Sequence, residues 1–127
     1  MTLVPDIAPE VFRQRLLVEG RFTCPLDAEA VSRFMVDLAA ALGLRTYGDP
    51  IVHSPDARIA TGEGKTENAG YDAFVPLVDS GIAAYFWTQA KFFSVVIYTC
   101  AAFDEARAVA FIETALAADG KIVHAGF

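Results

Sequence analysis

The sequence predicts an α+β fold, a two-layer sandwich in which one mostly antiparallel sheet carries two helices on one face. Several segments have the apolar alternation of strands, two have the apolar spacing of helices, and short turns join consecutive strands in the second half. With 127 residues, the chain is expected to form a single domain over residues 1–127, because a chain of this size seldom buries two cores.

The first strand lies in FRQRLLVEGRFTC, where side chains alternate between an apolar face and a mixed face. Glu19 and Arg21 share the mixed face, so Arg21 is the expected partner of the Glu19 carboxylate, which is costly to bury unpaired. Asp27 then caps a helix whose apolar stripe runs from Val31 to Leu42. The chain therefore opens with a strand followed by a helix.

The middle of the chain alternates between apolar runs and one polar segment. Residues 44–53 predict a second strand, interrupted by Gly-Asp-Pro. Residues 54–70, rich in Gly, Ala, Thr and charge, predict a long surface loop. Three apolar strands are expected next, at about 71–79, 81–87 and 92–99.

The turns between these strands are short. Ser80-Gly81 is expected to form the first hairpin turn, because Gly supplies the positive φ that such turns need. Residues 88–91 are expected to form the second turn. A second helix begins near Asp104 and ends at Gly120, and KIVHAGF closes the chain as a strand.

The composition predicts that the open face of the sheet is covered. Apolar residues make up 54% of the chain and the mean hydropathy is +0.38, which is high for a small domain. An excess of this kind favours a further buried surface. We therefore expect a homodimer in which two sheets face one another.

Charge and residue usage exclude several classes of function. The net charge is −6 with scattered Lys and Arg, so nucleic-acid binding is not expected. No apolar run is long enough to span a membrane and the N-terminus does not resemble a signal peptide, so a cytoplasmic location is expected. Cys24 and Cys100 are interpreted as free thiols, and no metal site is expected, because His53 and His124 are far apart.

Four motifs resemble the short prokaryotic S-adenosylmethionine decarboxylases. The strand RLLVEGRFTC is similar to the family's opening strand, of the kind HLIVELYGC. The segments LVDSG, AAYFWTQ and VVIYTCA follow the order of family strands that end in Glu-Ser-His, His-Thr-Trp-Pro-Glu and Phe-Thr-Cys-Gly. With Ser80 on the family's self-cleaving serine, Trp87 and Cys100 fall on the motif tryptophan and cysteine without a gap.

The resemblance implies a pyruvoyl enzyme of polyamine (spermidine) biosynthesis. In that family the serine cleaves the chain and becomes a pyruvoyl group, which acts as an electron sink when the substrate loses CO2. It implies catalytic roles for Ser80 and Cys100, with cleavage between Asp79 and Ser80. It also implies that Glu19, Trp87 and Gln89 occupy positions that bind an S-adenosylmethionine-like ligand.

The sequence departs from the family at several positions on which catalysis depends. Tyr85 stands where the family has the histidine that assists elimination, and a phenol is a much weaker base than imidazole at neutral pH. Asp72 replaces a helper serine, and Gly81 replaces the residue after the cleavage serine. Gln89 replaces the glutamate that holds the substrate ribose. These departures predict a protein that keeps the fold of the family but has impaired self-cleavage and catalysis.

Three hypotheses follow. The first is a divergent, unprocessed protein with little activity, without a cofactor, that keeps a nucleoside-type pocket lined by Glu19, Ser80, Trp87 and Cys100. The second is an active pyruvoyl enzyme in which His53 or His124 replaces the missing histidine. The third is a pseudoenzyme acting as a regulatory or scaffolding subunit. The simpler interpretation of Cys100 as a buried strand-end residue, and of the aromatic residues 85–93 as core and dimer interface, also remains open.

Overall fold

A computed structural model describes residues 4–127 and shows one antiparallel sheet with helices on one face. The strands are β1 (Gln14–Arg21), β2 (Ile51–His53), β3 (Gly70–Leu77), β4 (Ser80–Trp87), β5 (Phe92–Thr99) and β6 (Asp119–Gly126). The helices are α1 (Ala28–Ala41), α2 (Asp56–Ala60) and α3 (Glu105–Ala115), with a 3₁₀ turn at Thr66–Asn68. The predicted α+β sandwich is confirmed.

The six strands lie in the order β2-β3-β4-β5-β1-β6, and every neighbouring pair is antiparallel. The central strands β3, β4 and β5 follow one another in the chain, because short turns join them. The first strand, β1, pairs with β5, and Glu19 lies opposite Ser94. The N-terminal strand therefore lies inside the sheet, between β5 and the edge strand β6.

The helices α1 and α3 bury one face of the sheet. Asp27 caps α1 as the sequence predicts, and Asp104, near which the second helix was expected to begin, caps α3. Their carboxylates accept hydrogen bonds from the backbone N–H of Ala30 at 2.7 Å and of Arg107 at 3.1 Å. Phe93 is fully buried beneath them and lies over Gly20, where a Cβ would come within 2.9 Å of its ring. The other sheet face, called the open face below, is reached at one end by the segment around α2, which meets Asp72 and Trp87 there.

Residues 44–70 are more ordered than the sequence predicts. The expected strand over 44–53 is reduced to the three residues of β2, since Gly-Asp-Pro interrupts the run, and Thr46 adds one bridge to Leu77. The expected loop contains α2 and the 3₁₀ turn. The Asp56 carboxylate accepts a hydrogen bond from the Gly70 backbone at 2.9 Å and so fastens the segment to β3.

The first hairpin turn lies two residues earlier than the sequence predicts. Leu77 pairs with Ser80, so Val78 and Asp79 form the turn and Gly81 lies inside β4. Gly81 instead lies beneath the Phe74 ring: a Cβ at 81 would come within 2.5 Å of that ring and would displace it. The turn over 88–91 is confirmed by the pairing of Trp87 with Phe92.

Within residues 4–127, no helix is long and apolar enough to cross a membrane.

Candidate functional site

The Asp79–Ser80 peptide lies where the ends of β4 and β5 meet. Ser80 pairs with Thr99, so the next residue, Cys100, lies beside the turn that precedes β4. The Ser80 Oγ is 3.6 Å from the Cys100 Sγ, and the Cys100 backbone N–H donates a hydrogen bond of 2.8 Å to the Asp79 carbonyl. The sheet thus brings together the serine and cysteine that the sequence resemblance selected.

The Ser80 backbone adopts a conformation that residues with a side chain rarely take. Its φ is +137°, and such positions cost on the order of 1–3 kcal/mol unless the surrounding structure compensates. The pairing of Ser80 with both Leu77 and Thr99 holds it there. An N–H donor on the Asp79 carbonyl also stabilises negative charge that develops on that oxygen during nucleophilic attack. The junction therefore combines a rare backbone conformation at Ser80 with a donor on the carbonyl that precedes it.

A permanent positive charge lies close to this junction. A hydrogen bond from Arg13 to Asp6 raises the pKa of the guanidinium, and Coulombic attraction to Asp6, Tyr98 and Cys100 raises it further against desolvation. The Asp6 pKa is lowered, first by a hydrogen bond from the Ala8 backbone and then by Arg13. Sequence reasoning missed Arg13, because only the antiparallel pairing of β1 with β5 places it near the end of β5.

The two cysteines differ in exposure, and we expect them to react at different rates. Burial raises the pKa of the partly buried Cys24 thiol, which reduces its thiolate fraction at pH 8, whereas Cys100 is exposed. A disulfide reagent such as DTNB is expected to modify Cys100 several-fold faster than Cys24. Release of the coloured thiolate from Cys24→Ala and Cys100→Ala variants separates the two rates. Faster modification of Cys24 would contradict the assigned burial.

A row of polar side chains crosses the open face. The strand register places five residues side by side on neighbouring strands, in the order His53, Asp72, Tyr85, Ser94 and Glu19. The Ser94 hydroxyl donates a hydrogen bond of 2.7 Å to the Glu19 carboxylate. The expected pairing of Glu19 with Arg21 is wrong, because the Arg21 guanidinium donates instead to the Ala90 carbonyl at 2.6 Å. We refer to these five residues as the polar row.

The position of Tyr85 limits what any side chain there can do. It lies five residues along β4 from Ser80, a separation of roughly 16 Å at the rise of a strand. A side chain at position 85 therefore cannot touch Ser80 of its own chain.

Trp87 and Gln89 lie at the opposite end of β4, with Trp87 about 23 Å from Ser80. The Trp87 ring packs on Phe92 at 5.2 Å between centroids and donates a 3.1 Å hydrogen bond to the Asn68 side chain. It forms one wall of a cavity of about 370 Å³ beneath α2, and Gln89 is exposed in the following turn. Glu19, Ser80, Trp87 and Cys100 do not line one cavity within a single chain.

The two histidines point to opposite sides of the sheet. His53 lies opposite Asp72 on the open face. His124 lies opposite Val18, whose side chain is buried on the helix side. Only the register of the strands shows that the two histidines lie on different faces, so the sequence alone left both as candidates for the missing base. No group of three or more His, Cys, Asp or Glu that could hold a metal ion occurs among residues 4–127.

These observations define a class: an α+β sandwich with one largely exposed sheet face and a serine–cysteine junction at the ends of two central strands. A sequence model described as "S-adenosylmethionine decarboxylase" matches residues 23–125. The chain belongs to the S-adenosylmethionine decarboxylase family. The match begins after Glu19, so the similarity of β1 to the family's opening strand is supported by the fold and not by the family match.

A solved structure has the same fold. The crystal structure of the adenosylmethionine decarboxylase from Aquifex aeolicus VF5 superposes with a TM-score of 0.64 over 92% of this chain and 89% of that one. The two sequences are 17% identical, so the likeness shows the fold. No curated protein sequence matches the chain significantly.

Proposed function

We propose that the chain is a divergent S-adenosylmethionine decarboxylase-like protein that cleaves itself between Asp79 and Ser80 only slowly, so that most of it remains intact and weakly active. The observation that carries the proposal is the retained junction. The Ser80 hydroxyl, the Cys100 thiol and the Cys100 N–H bound to the Asp79 carbonyl persist in a chain that has replaced the family's assisting histidine by Tyr85.

The cleavage needs only groups of this junction, a base and water. The Ser80 Oγ attacks the Asp79 carbonyl carbon, the C–N bond breaks, and the acyl group moves to the oxygen as an ester. A base removes the Ser80 Cα proton, the Cβ–Oγ bond breaks, and Asp79 leaves as a carboxylate. One water then replaces the freed amino group, ammonia is released, and residue 80 becomes a pyruvoyl group. That group supplies the electron sink for decarboxylation of an amine substrate.

The retained backbone and the altered side chains affect different steps. The Ser80 conformation and the Cys100 N–H favour attack, because both act on the Asp79 carbonyl. Elimination needs a proton acceptor, and the phenol of Tyr85 is a poor one at neutral pH. We therefore expect elimination to limit the rate, and the uncleaved chain to be the main species.

A homodimer formed through the open face is part of this proposal. Large apolar side chains of that face are exposed, among them Ile51, Phe74, Tyr85 and Tyr98. The candidate residues are also distributed over the face of one chain, with Ser80 and Cys100 at one end and Trp87 and Gln89 at the other. Two facing sheets in antiparallel orientation place one end of a chain over the other end of its partner. A complete site then takes residues from both copies.

The ligand we propose is a nucleoside of the S-adenosylmethionine type, bound more weakly than in a typical family member. The family's ribose-binding carboxylate is replaced by the uncharged Gln89, so one charge-assisted hydrogen bond is lost. Trp87 retains an aromatic surface for stacking. Calorimetric titration with S-adenosylmethionine tests this part, and the absence of heat up to millimolar ligand would exclude the pocket.

Denaturing mass spectrometry of the untagged protein tests the proposed function. Freshly purified protein is expected to give mainly one species near 13.7 kDa. Incubation at 37 °C for days is expected to produce residues 1–79 and a fragment starting at residue 80 with a pyruvoyl group. Complete cleavage in the fresh sample would contradict slow processing. An intact chain after prolonged incubation would exclude self-cleavage and favour a purely non-catalytic role.

A further inference from the structure

We propose that His53, oriented by Asp72, is the base that removes the Ser80 Cα proton in the partner copy of a homodimer. The inference rests on the proposed function, because it assigns the base for the slow elimination. It concerns the last residue of the edge strand β2.

The geometry that points to His53 is its place in the polar row. His53 and Asp72 are direct partners in the β2–β3 ladder, and side chains in such positions have Cβ atoms about 4.5–5.5 Å apart. Tyr85 is the next member of the row, opposite Asp72 on β4. An imidazole thus lies two strands from the position where the family has its histidine, on the same face and at the same height along the strands.

The chemistry of the neighbours suits a base. Imidazole is the side chain that accepts and releases protons near neutral pH, and an adjacent carboxylate stabilises the imidazolium that forms. Asp72, the cross-strand neighbour of His53, is the carboxylate that we assign to this role. We infer that Asp72 positions His53 and does not itself contact the reacting atoms.

The distance between His53 and Ser80 within one chain requires that His53 acts on the Ser80 of a partner copy. Asp72 lies five residues along β3 from Leu77, the pairing partner of Ser80, which is roughly 16 Å. His53 lies a further strand away, so it is two strand spacings of about 4.8 Å from β4. No side-chain rotation spans this separation. A second copy with its open face over the first brings a foreign Ser80 within reach of the row.

The surfaces that meet in the proposed dimer are compatible with contact between His53 of one copy and the Ser80 region of the other. The open face has a shallow depression of about 260 Å³ lined by seven residues, among them His53, Asp72, Phe74 and Tyr85. The turn that precedes Ser80 lies at the end of the sheet, and its Val78 side chain is 43% exposed. An exposed turn and a depression of this size suit reciprocal contact between two copies.

Mixing two inactive variants tests the proposal directly. A His53→Ala chain retains Ser80 but lacks the base, and a Ser80→Ala chain retains the base but cannot be cleaved. Each variant alone is expected to stay intact, with the His53→Ala chain cleaved at least about tenfold more slowly than wild type. After unfolding and refolding as a mixture, the His53→Ala chain is expected to be cleaved at up to half the wild-type rate. Mass spectrometry distinguishes the two chains.

Three further samples make the outcome decisive. Added imidazole is expected to restore cleavage of His53→Ala, which a merely structural role would not explain. His124→Ala is the matched control and is expected to cleave like wild type, since its side chain faces the helix side. Circular dichroism of each variant checks folding.

The results separate this inference from the proposed function. If the wild type is cleaved and the His53→Ala chain is cleaved at the same rate, the proposed role of His53 is wrong, but slow self-cleavage still holds. Cleavage lost in His53→Ala but not recovered in the mixture or with imidazole would also overturn it. An uncleaved wild-type chain would overturn both proposals.

Discussion

Replacing Val96 by aspartate is expected to convert the proposed dimer into a monomer. Val96 is a partly buried residue of β5 in the centre of the open face, between Ala83 on β4 and Leu17 on β1. In a dimer with two-fold symmetry the substitution buries two carboxylates without cationic partners. Each unpaired buried charge costs several kcal/mol, so the dissociation constant should rise at least about 100-fold.

Multi-angle light scattering at micromolar concentration measures this effect directly. The wild type should have the mass of two 13.7 kDa chains, and the variant the mass of one. Val36→Asp is the matched control, because Val36 is an exposed valine of α1 on the opposite surface. A monomeric wild type would refute the dimer. Dissociation of Val36→Asp, with Val96→Asp still dimeric, would place the interface on the helices instead.

Replacing Phe93 by alanine is expected to remove a large part of the stability of the chain. Phe93 is fully buried on the helix side of β5, and its ring occupies the space that Gly20 leaves open. Truncation of a buried phenylalanine costs about 3–5 kcal/mol, because transfer energy is lost and a cavity remains. Small domains have only about 5–15 kcal/mol in total. The melting temperature should therefore fall by about 10–20 °C.

The neighbouring phenylalanine provides the control. Phe92 precedes Phe93 in β5 but points to the open face, where it is partly exposed and packs against Trp87. Phe92→Ala is expected to lower the free energy of unfolding by less than half as much, as measured by urea denaturation in the monomeric Val96→Asp background. A loss equal to that of Phe93→Ala would contradict the assignment of the two faces.

The proposed function and the proposed dimer depend on each other through distance. Ser80 and Cys100 lie at one end of the open face, and the polar row lies about five residues farther along the strands. A monomer offers a nucleophile without a base. If Val96→Asp is monomeric, its cleavage should slow together with its assembly, so the mass and the cleavage rate of one variant connect the two proposals.

The elements whose signals are local could be predicted from the sequence. Asp27 and Asp104 cap their helices because a cap depends on residues within one turn, and the apolar alternation of β1 shows in consecutive residues. The hairpin turn was misplaced for a non-local reason. The Phe74 ring of the neighbouring strand packs over Gly81, so a glycine that looked like a turn signal has a packing role.

Residues 44–70 show a second non-local effect. Their composition is that of a surface loop, yet side-chain bonds from Asp56 to the Gly70 backbone and from Trp87 to Asn68 fasten a short helix and a 3₁₀ turn to the sheet. In both bonds the two residues are too far apart in the sequence to produce a periodic pattern. The wall of the cavity at Trp87 was therefore not predictable from the sequence.

The sequence by itself determined the fold class, the family and the serine–cysteine pair, since these depend on periodicity and on fixed spacing along consecutive strands. Only the tertiary structure decided which residues share a face and a height along the sheet. It joined Glu19 to Ser94 in place of Arg21, placed His53 beside Asp72 and turned His124 away. The physical reason is register: antiparallel pairing brings together residues far apart in the chain, and a shift by one residue turns every side chain to the other face.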